Sequence, residues 1–151
     1  MRPPCQRRRP RGATTVEFAV TCPLAILLIF ATIVGALGAF RYQQVASLAR
    51  EGARWACVHG KEYERQTGNL AATPDDVFNT AILPSAVALD PSKLSYTVTW
   101  TNSNEPLEVH EDVQKPIGNT VTVSVSYVWF PEAYLVGPYT LTSTSTAQML
   151  Y

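Results

Sequence analysis

Residues 18–40 read FAVTCPLAILLIFATIVGALGAF, a run of 23 without a charge, and the reading of this run decides the fold. As a helix it would extend about 34 Å at 1.5 Å per residue, enough for the roughly 30 Å of hydrocarbon in a bilayer. Pro23, Gly35 and Gly38 lie inside it. Each weakens a helix in water, but all are tolerated in lipid, where neighbouring helices and local adjustments satisfy the freed backbone groups. More than about 20 apolar residues is also too long for an ordinary buried core helix. The run, with the residues just before it, reads as a transmembrane helix over 13–40.

The flanks orient it. The chain has 151 residues, room for an anchor and one domain of ordinary size, and its zero net charge hides two opposite parts. Through Phe40, five arginines (Arg2, Arg7, Arg8, Arg9, Arg11) face one acid, Glu17, for a net of +4. From Arg41 onward seven bases face eleven acids, for −4. The arginine cluster before the span puts the N-terminus in the cytoplasm and residues after Arg41 outside. That gives a basic leader (1–12), the transmembrane helix (13–40), a juxtamembrane stalk helix (41–60) and an extracytoplasmic domain (61–151). The rival is a cleaved secretory signal. Its usual apolar core of 7–15 residues is shorter than this run, and Glu17 stands where the run begins, though Ala36 and Gly38 offer a small-residue cut.

Glu17 admits two readings on charge alone. A carboxylate at the edge of a membrane helix is costly and is usually retained for a partner. Equally, it suits the positive end of the helix dipole, and Thr14 and Thr15 suit a helix start.

The neighbours separate the two readings. Arg11-Gly12-Ala13-Thr14-Thr15-Val16-Glu17-Phe18 resembles the processing site of type IV pilin-like proteins: a basic leader ending in glycine, a prepilin-peptidase cut, and glutamate fifth in the mature chain. The resemblance implies a cut between Gly12 and Ala13. It also implies that the new ammonium at Ala13 pairs with Glu17 of a neighbouring subunit during helix assembly. Downstream, Ala49-Arg50-Glu51-Gly52-Ala53-Arg54-Trp55-Ala56 resembles the A-R-E-G-A-R-x-A signature of TadE-like proteins, minor pseudopilins of tight-adherence (Flp-type) pili. The two motifs together cover most of residues 11–56. Cys22 beside Pro23 departs from the expected opening. The implied partners are the bilayer, a prepilin peptidase, other pilins or pseudopilins and the pilus assembly platform. The implied place is the inner (cytoplasmic) membrane, with a single pass.

Beyond the span, Val45, Leu48, Ala49 and Gly52 fall at i, i+3, i+4 and i+7, with Arg50 and Arg54 on another face, so the helix continues outward as an amphipathic stalk. Ala46, Ala49, Gly52, Ala53 and Ala56 give it a thin face. That face suits either a second helix or the domain's own sheet, the latter being preferred past Gly52. Residues 61–73 are polar, with Gly68 and Asn69, and read as a loop. Thr73-Pro74-Asp75-Asp76 starts a short helix that should end near Leu83, before Pro84. Period-two alternation then predicts strands over Leu94–Trp100 and Val121–Tyr127, and more weakly over Tyr139–Leu150. The expected class is α+β: a long N-terminal helix, then a pilin-like antiparallel sheet of about three strands with a short helix.

No pattern points to catalysis, a cofactor or a bound metal. Glu105, Glu108, Glu111, Asp112 and His110 lack the spacing of a cation loop and read as a solvated turn. Cys57 and His59 form a C-x-H pair without further zinc ligands. The arginine head has a topological purpose and calls for no nucleic acid. Cys5, Cys22 and Cys57 fall in three different surroundings, so no intrachain bridge is expected and Cys57 is read as buried. Two functions fit: a minor pseudopilin processed after Gly12, or an uncleaved single-pass membrane-tethered binding module of the cell envelope.

Overall fold

A computed structural model describes residues 11–101, 119–131 and 137–149, with the backbone alone at Arg11 and Ala13. The acidic cluster around His110, the arginines before Arg11, Cys5 and Leu150 lie outside the described residues. The fold is α+β, as expected: a long N-terminal helix, α1 (Arg11–Val58), then short helices and a three-stranded antiparallel sheet. The chain divides into two compact units, Met1–Leu37 and Gly38–Tyr151.

In the first unit α1 turns apolar side chains outward along its length, Phe18 being 68% and Leu28 70% exposed. Its most apolar stretch of 18 residues has a mean hydropathy of 2.5 and no buried residue. A core helix of a soluble domain would bury these groups. Among the described residues α1 is the one helix long and apolar enough to cross a membrane, which points to a single-pass membrane protein. Its hydroxyls suit that setting. Thr21 Oγ1 donates to the Glu17 carbonyl at 2.9 Å and Thr32 Oγ1 to the Leu28 carbonyl at 2.8 Å, so neither needs a partner outside the helix.

In the second unit, residues 38–58 of α1 pack on the sheet. Strands β1 (Leu94–Trp100), β2 (Thr120–Trp129) and β3 (Tyr139–Gln148) form a meander in that order. On β2 the alternation is complete. Val121, Val123, Val125, Tyr127 and Trp129 are buried, while the residues between them face out. The outer face is held by hydroxyl pairs across β2 and β3: Thr122–Thr146 and Ser124–Thr144 at 3.1 Å, Ser126–Thr142 at 2.9 Å. Two close approaches fix the helix direction, Gly38 against Trp129 and Gly52 against Val123. Fourteen helical residues and six strand residues both span roughly 20 Å, so α1 runs antiparallel along β2.

The polar stretch after Gly60 departs from expectation. Lys61–Thr67 forms α2, closed by Gly68 at φ +76°. The Glu62 carboxylate accepts from Arg65 and Gln66 one turn on, at 3.4 and 3.2 Å. Such i,i+3 and i,i+4 pairs hold a short helix that has no apolar face and therefore reads as loop in the sequence. Residues 74–85 are helical as predicted but pass through a π turn at Phe78–Ile82 before the Pro84 turn. That segment, α3, is tied to β1. The Phe78 and Tyr96 rings stack 4.3 Å apart, and the Tyr96 hydroxyl donates to Asp75 Oδ1 at 2.6 Å.

The start of α3 is a capping box. Thr73 Oγ1 accepts from the Asp76 N–H, and the Asp76 carboxylate accepts from the Thr73 N–H and hydroxyl. These bonds, the hydroxyl first, hold the Asp76 carboxyl below its ordinary value of 3.8. A carboxyl depressed in the folded state adds stability that is full above the ordinary value and is lost as the pH falls through the lower folded one. Asp76→Asn should therefore lower the melting temperature near neutrality, with the gap to the parent protein closing once the pH falls below 3.8. An undiminished gap in acid would show that the box adds stability by some means other than charge.

Candidate processing and assembly site

The residues singled out by sequence fall on α1, in both units. Gly12 and Glu17 are exposed, and a Cβ built at Gly12 meets nothing within 4 Å. At Ala13 only the backbone is described, and it is helical. Among the described residues, no packing demands glycine at position 12.

The downstream motif splits between two faces, as a helical period dictates. Gly52 and Ala53 point inward with Ala49 and Ala56, all four buried. A Cβ at Gly52 would lie 3.1 Å from Ile82 Cγ1 and 3.2 Å from Val123 Cγ1, closer than most side-chain contacts. The thin face thus receives α3 and β2 of the same chain, and past Gly52 the preferred alternative holds. Arg50, Glu51 and Arg54 are exposed on the other side. The Arg50 Nε donates to the Ala46 carbonyl at 3.1 Å, which lays the guanidinium back along the helix. Glu51 lines a shallow groove with Gln44, Ser47 and Ser85.

Cys57 and His59 go to different partners. Cys57 is buried, its Sγ donating to the Arg54 carbonyl at 3.1 Å, and burial pushes its thiol pKa up against the opposing effect of a backbone hydrogen bond. The His59 ring stacks on Trp55 at 4.0 Å with Nδ1 2.8 Å from the Trp55 carbonyl, and packs against Tyr63 of α2. Among the described residues no group of three or more His, Cys, Asp or Glu side chains gathers as metal ligands.

One pair of loop-holding side chains escapes sequence reading. Arg41, counted there as a flanking charge, donates through Nη1 to the Ala88 carbonyl at 2.7 Å and to Gln44 Oε1 at 3.1 Å. Gln44 Nε2 donates to the Val87 carbonyl at 3.3 Å. This clamp pins a loop whose Ala88 has φ +63°, a left-handed conformation costing an L-residue about 1–2 kcal/mol. The partners are more than 40 residues apart, and no local pattern marks them.

Comparison with known proteins bears on this helix alone. Residues 12–54 match the family model described as TadE-like protein, a segment that includes Gly12, Glu17 and the inward and outward halves of the motif. The resemblance read from the two motifs is borne out over that segment. A search of curated proteins and a search of solved structures each return no match.

The two faces of the motif should behave differently on substitution. Gly52→Val should destabilise the fold by about 1–3 kcal/mol through overpacking against Ile82 and Val123. Arg54→Ala should stay within about 0.5 kcal/mol, the usual range for an exposed change. Thermal unfolding followed by near-ultraviolet circular dichroism would decide, and equal losses in the two variants would refute the division of faces.

Proposed function

We propose, with the TadE-like segment over 12–54 as premise, that this chain is a minor pseudopilin taking part in assembly of a Flp/Tad-type pilus. It is a structural subunit of the inner membrane rather than an enzyme, with its N-terminus in the cytoplasm and its sheet domain outside. A prepilin peptidase removes residues 1–12, leaving Ala13 as the new N-terminus. The observation that carries the reading is the family match spanning both motifs on one helix. Supporting it are the arginines before the cut, the exposed apolar length after it, and a Gly12 backbone with open space around it. After the cut, the Ala13 ammonium and the Glu17 carboxylate of adjacent subunits lie near the start of the apolar run, where each lowers the cost of holding the other in lipid. Arg50, Glu51 and Arg54 offer polar contacts to other subunits or to the assembly platform.

Expressed beside its prepilin peptidase and extracted from membranes, the protein should have an intact mass lacking the first twelve residues. Gly12→Leu should block the cut without unfolding the domain, because none of the described residues opposes a side chain there. A full-length chain in the presence of active peptidase would sink the pseudopilin reading and favour the uncleaved binding module.

Glu17→Leu separates processing from assembly. Cleavage should continue at close to the parent rate while piliation, scored by electron microscopy of a complemented deletion strain, should be lost. Normal pili in that strain would remove Glu17 from assembly.

A further inference from the structure

One end of the sheet unit collects exposed apolar side chains. Eight large hydrophobic residues of this unit are described as exposed: Phe40, Tyr42, Val58, Leu70, Leu83, Val87, Phe130 and Tyr139. Hydrogen bonds, strand pairing and close contacts bring five of them to the end where β2 finishes and β3 begins. Trp129, the last residue of β2, pairs with Tyr139 and lies against Gly38 of α1. Phe130 follows it. The Arg41–Gln44 clamp holds Val87 and Ala88 beside α1 at the level of Phe40 and Tyr42. Val87, at 74% exposed, is the most open of the five. Lys93 sets its ammonium 5.0 Å from the Phe130 ring centre and is also paired with Asp90 at 3.7 Å.

We propose that this end of the domain is a lipid-facing collar, seated in the headgroup layer of the bilayer. Phe40 is both a member of the collar and the last residue of the uncharged run, so the collar begins at the residue where the apolar helix must leave hydrocarbon. Its composition fits that layer. Aromatic rings with polar tips concentrate at membrane–water boundaries, and lysine and arginine extend their ammonium and guanidinium heads to phosphates while their stems stay in apolar surroundings. Tyr42, Tyr139, Arg41 and Lys93 supply those groups, and Phe40, Val87 and Phe130 supply apolar area. The strained loop at Ala88 also gains a purpose: it presents Val87 outward, on the collar, instead of folding it into the core.

The inference rests on the membrane-crossing helix and not on the pilus role, so it can fail while processing at Gly12 stands. The test uses the full chain with its three cysteines replaced, single cysteines introduced one at a time, and a nitroxide spin label attached to each. Labels at Val87→Cys, Phe130→Cys and Tyr139→Cys are compared with Leu28→Cys on the span and Thr144→Cys on the outer sheet face. The protein is reconstituted in phosphatidylethanolamine–phosphatidylglycerol vesicles, and collisions with oxygen and with a water-soluble nickel chelate are measured. The collar labels should show an oxygen-to-nickel ratio several-fold above Thr144→Cys and below Leu28→Cys. Nickel access equal to that of Thr144→Cys, with Leu28→Cys still in lipid, would overturn the collar alone. Shielding from both reagents with dipolar broadening would assign the face to a second copy and overturn it too. A water-exposed Leu28→Cys would remove the span and the collar together.

Discussion

The close approach of α1 to β2 and α3 is the constraint on which the sheet unit depends. At Gly52 the helix has no side chain to hold its neighbours off, and Ile82 and Val123 occupy the space a Cβ would need. Ala49, Ala53 and Ala56 keep the rest of that face thin. Small residues on the helix let the valines of β2 reach the helix backbone, which is how a short sheet and one helix fill a core at native density. The direction of α1 along β2 follows from the same contacts. So does the outward position of Arg50, Glu51 and Arg54: once the glycine and alanines face in, the helical period leaves the charges nowhere else to go.

That constraint also explains how one helix serves two surroundings. Residues 38–58 meet their own sheet, and their burial alternates with exposure at helical spacing. Residues 14–37 show no such alternation, since nearly every described side chain there is exposed and most are apolar. A helix that is apolar all round is satisfied only by lipid or by other helices. Past the first turn, and apart from the bond that Pro23 cannot donate, the backbone N–H groups find acceptors within the helix in either setting, and Thr21 and Thr32 turn their hydroxyls to that same backbone.

Much of this was legible in the residues. The charge-free run, the helical spacing of Val45, Leu48, Ala49 and Gly52, the Thr73-Pro74 start and the alternation in β1 and β2 are local patterns, and each produced the element it predicts. β3 was weaker to read because Ser143 and Ser145 stand where an inward apolar residue is expected, and its pairing with β2 supplies what its own pattern lacks. Lys61–Thr67 was missed because its stability comes from side-chain pairs and a glycine cap, not from an apolar face. The clamp from Arg41 and Gln44 depends on partners distant in sequence, and composition carries no trace of it or of the π turn at Phe78–Ile82. At the candidate site, sequence placed the motif on a helix and divided its faces. It did not show that Gly12 stands in open space or that Gly52 is pressed on by two side chains.

The outer face of the sheet offers one more consequence. From Ser95, Thr97 and Thr99 across Thr122, Ser124 and Ser126 to Thr142, Thr144 and Thr146, it is built of hydroxyls, those of β2 and β3 paired with one another and that of Thr99 bonded to the Thr122 carbonyl. None of these groups titrates between strong acid and strong base. The acids and bases of the sheet unit that fall among the described residues stand on the helices and loops, and the three strands carry none. A change of acidity or salt that reorganises the described charged groups therefore acts on the helices and loops and leaves the hydroxyl pairs of the strands bonded as they are.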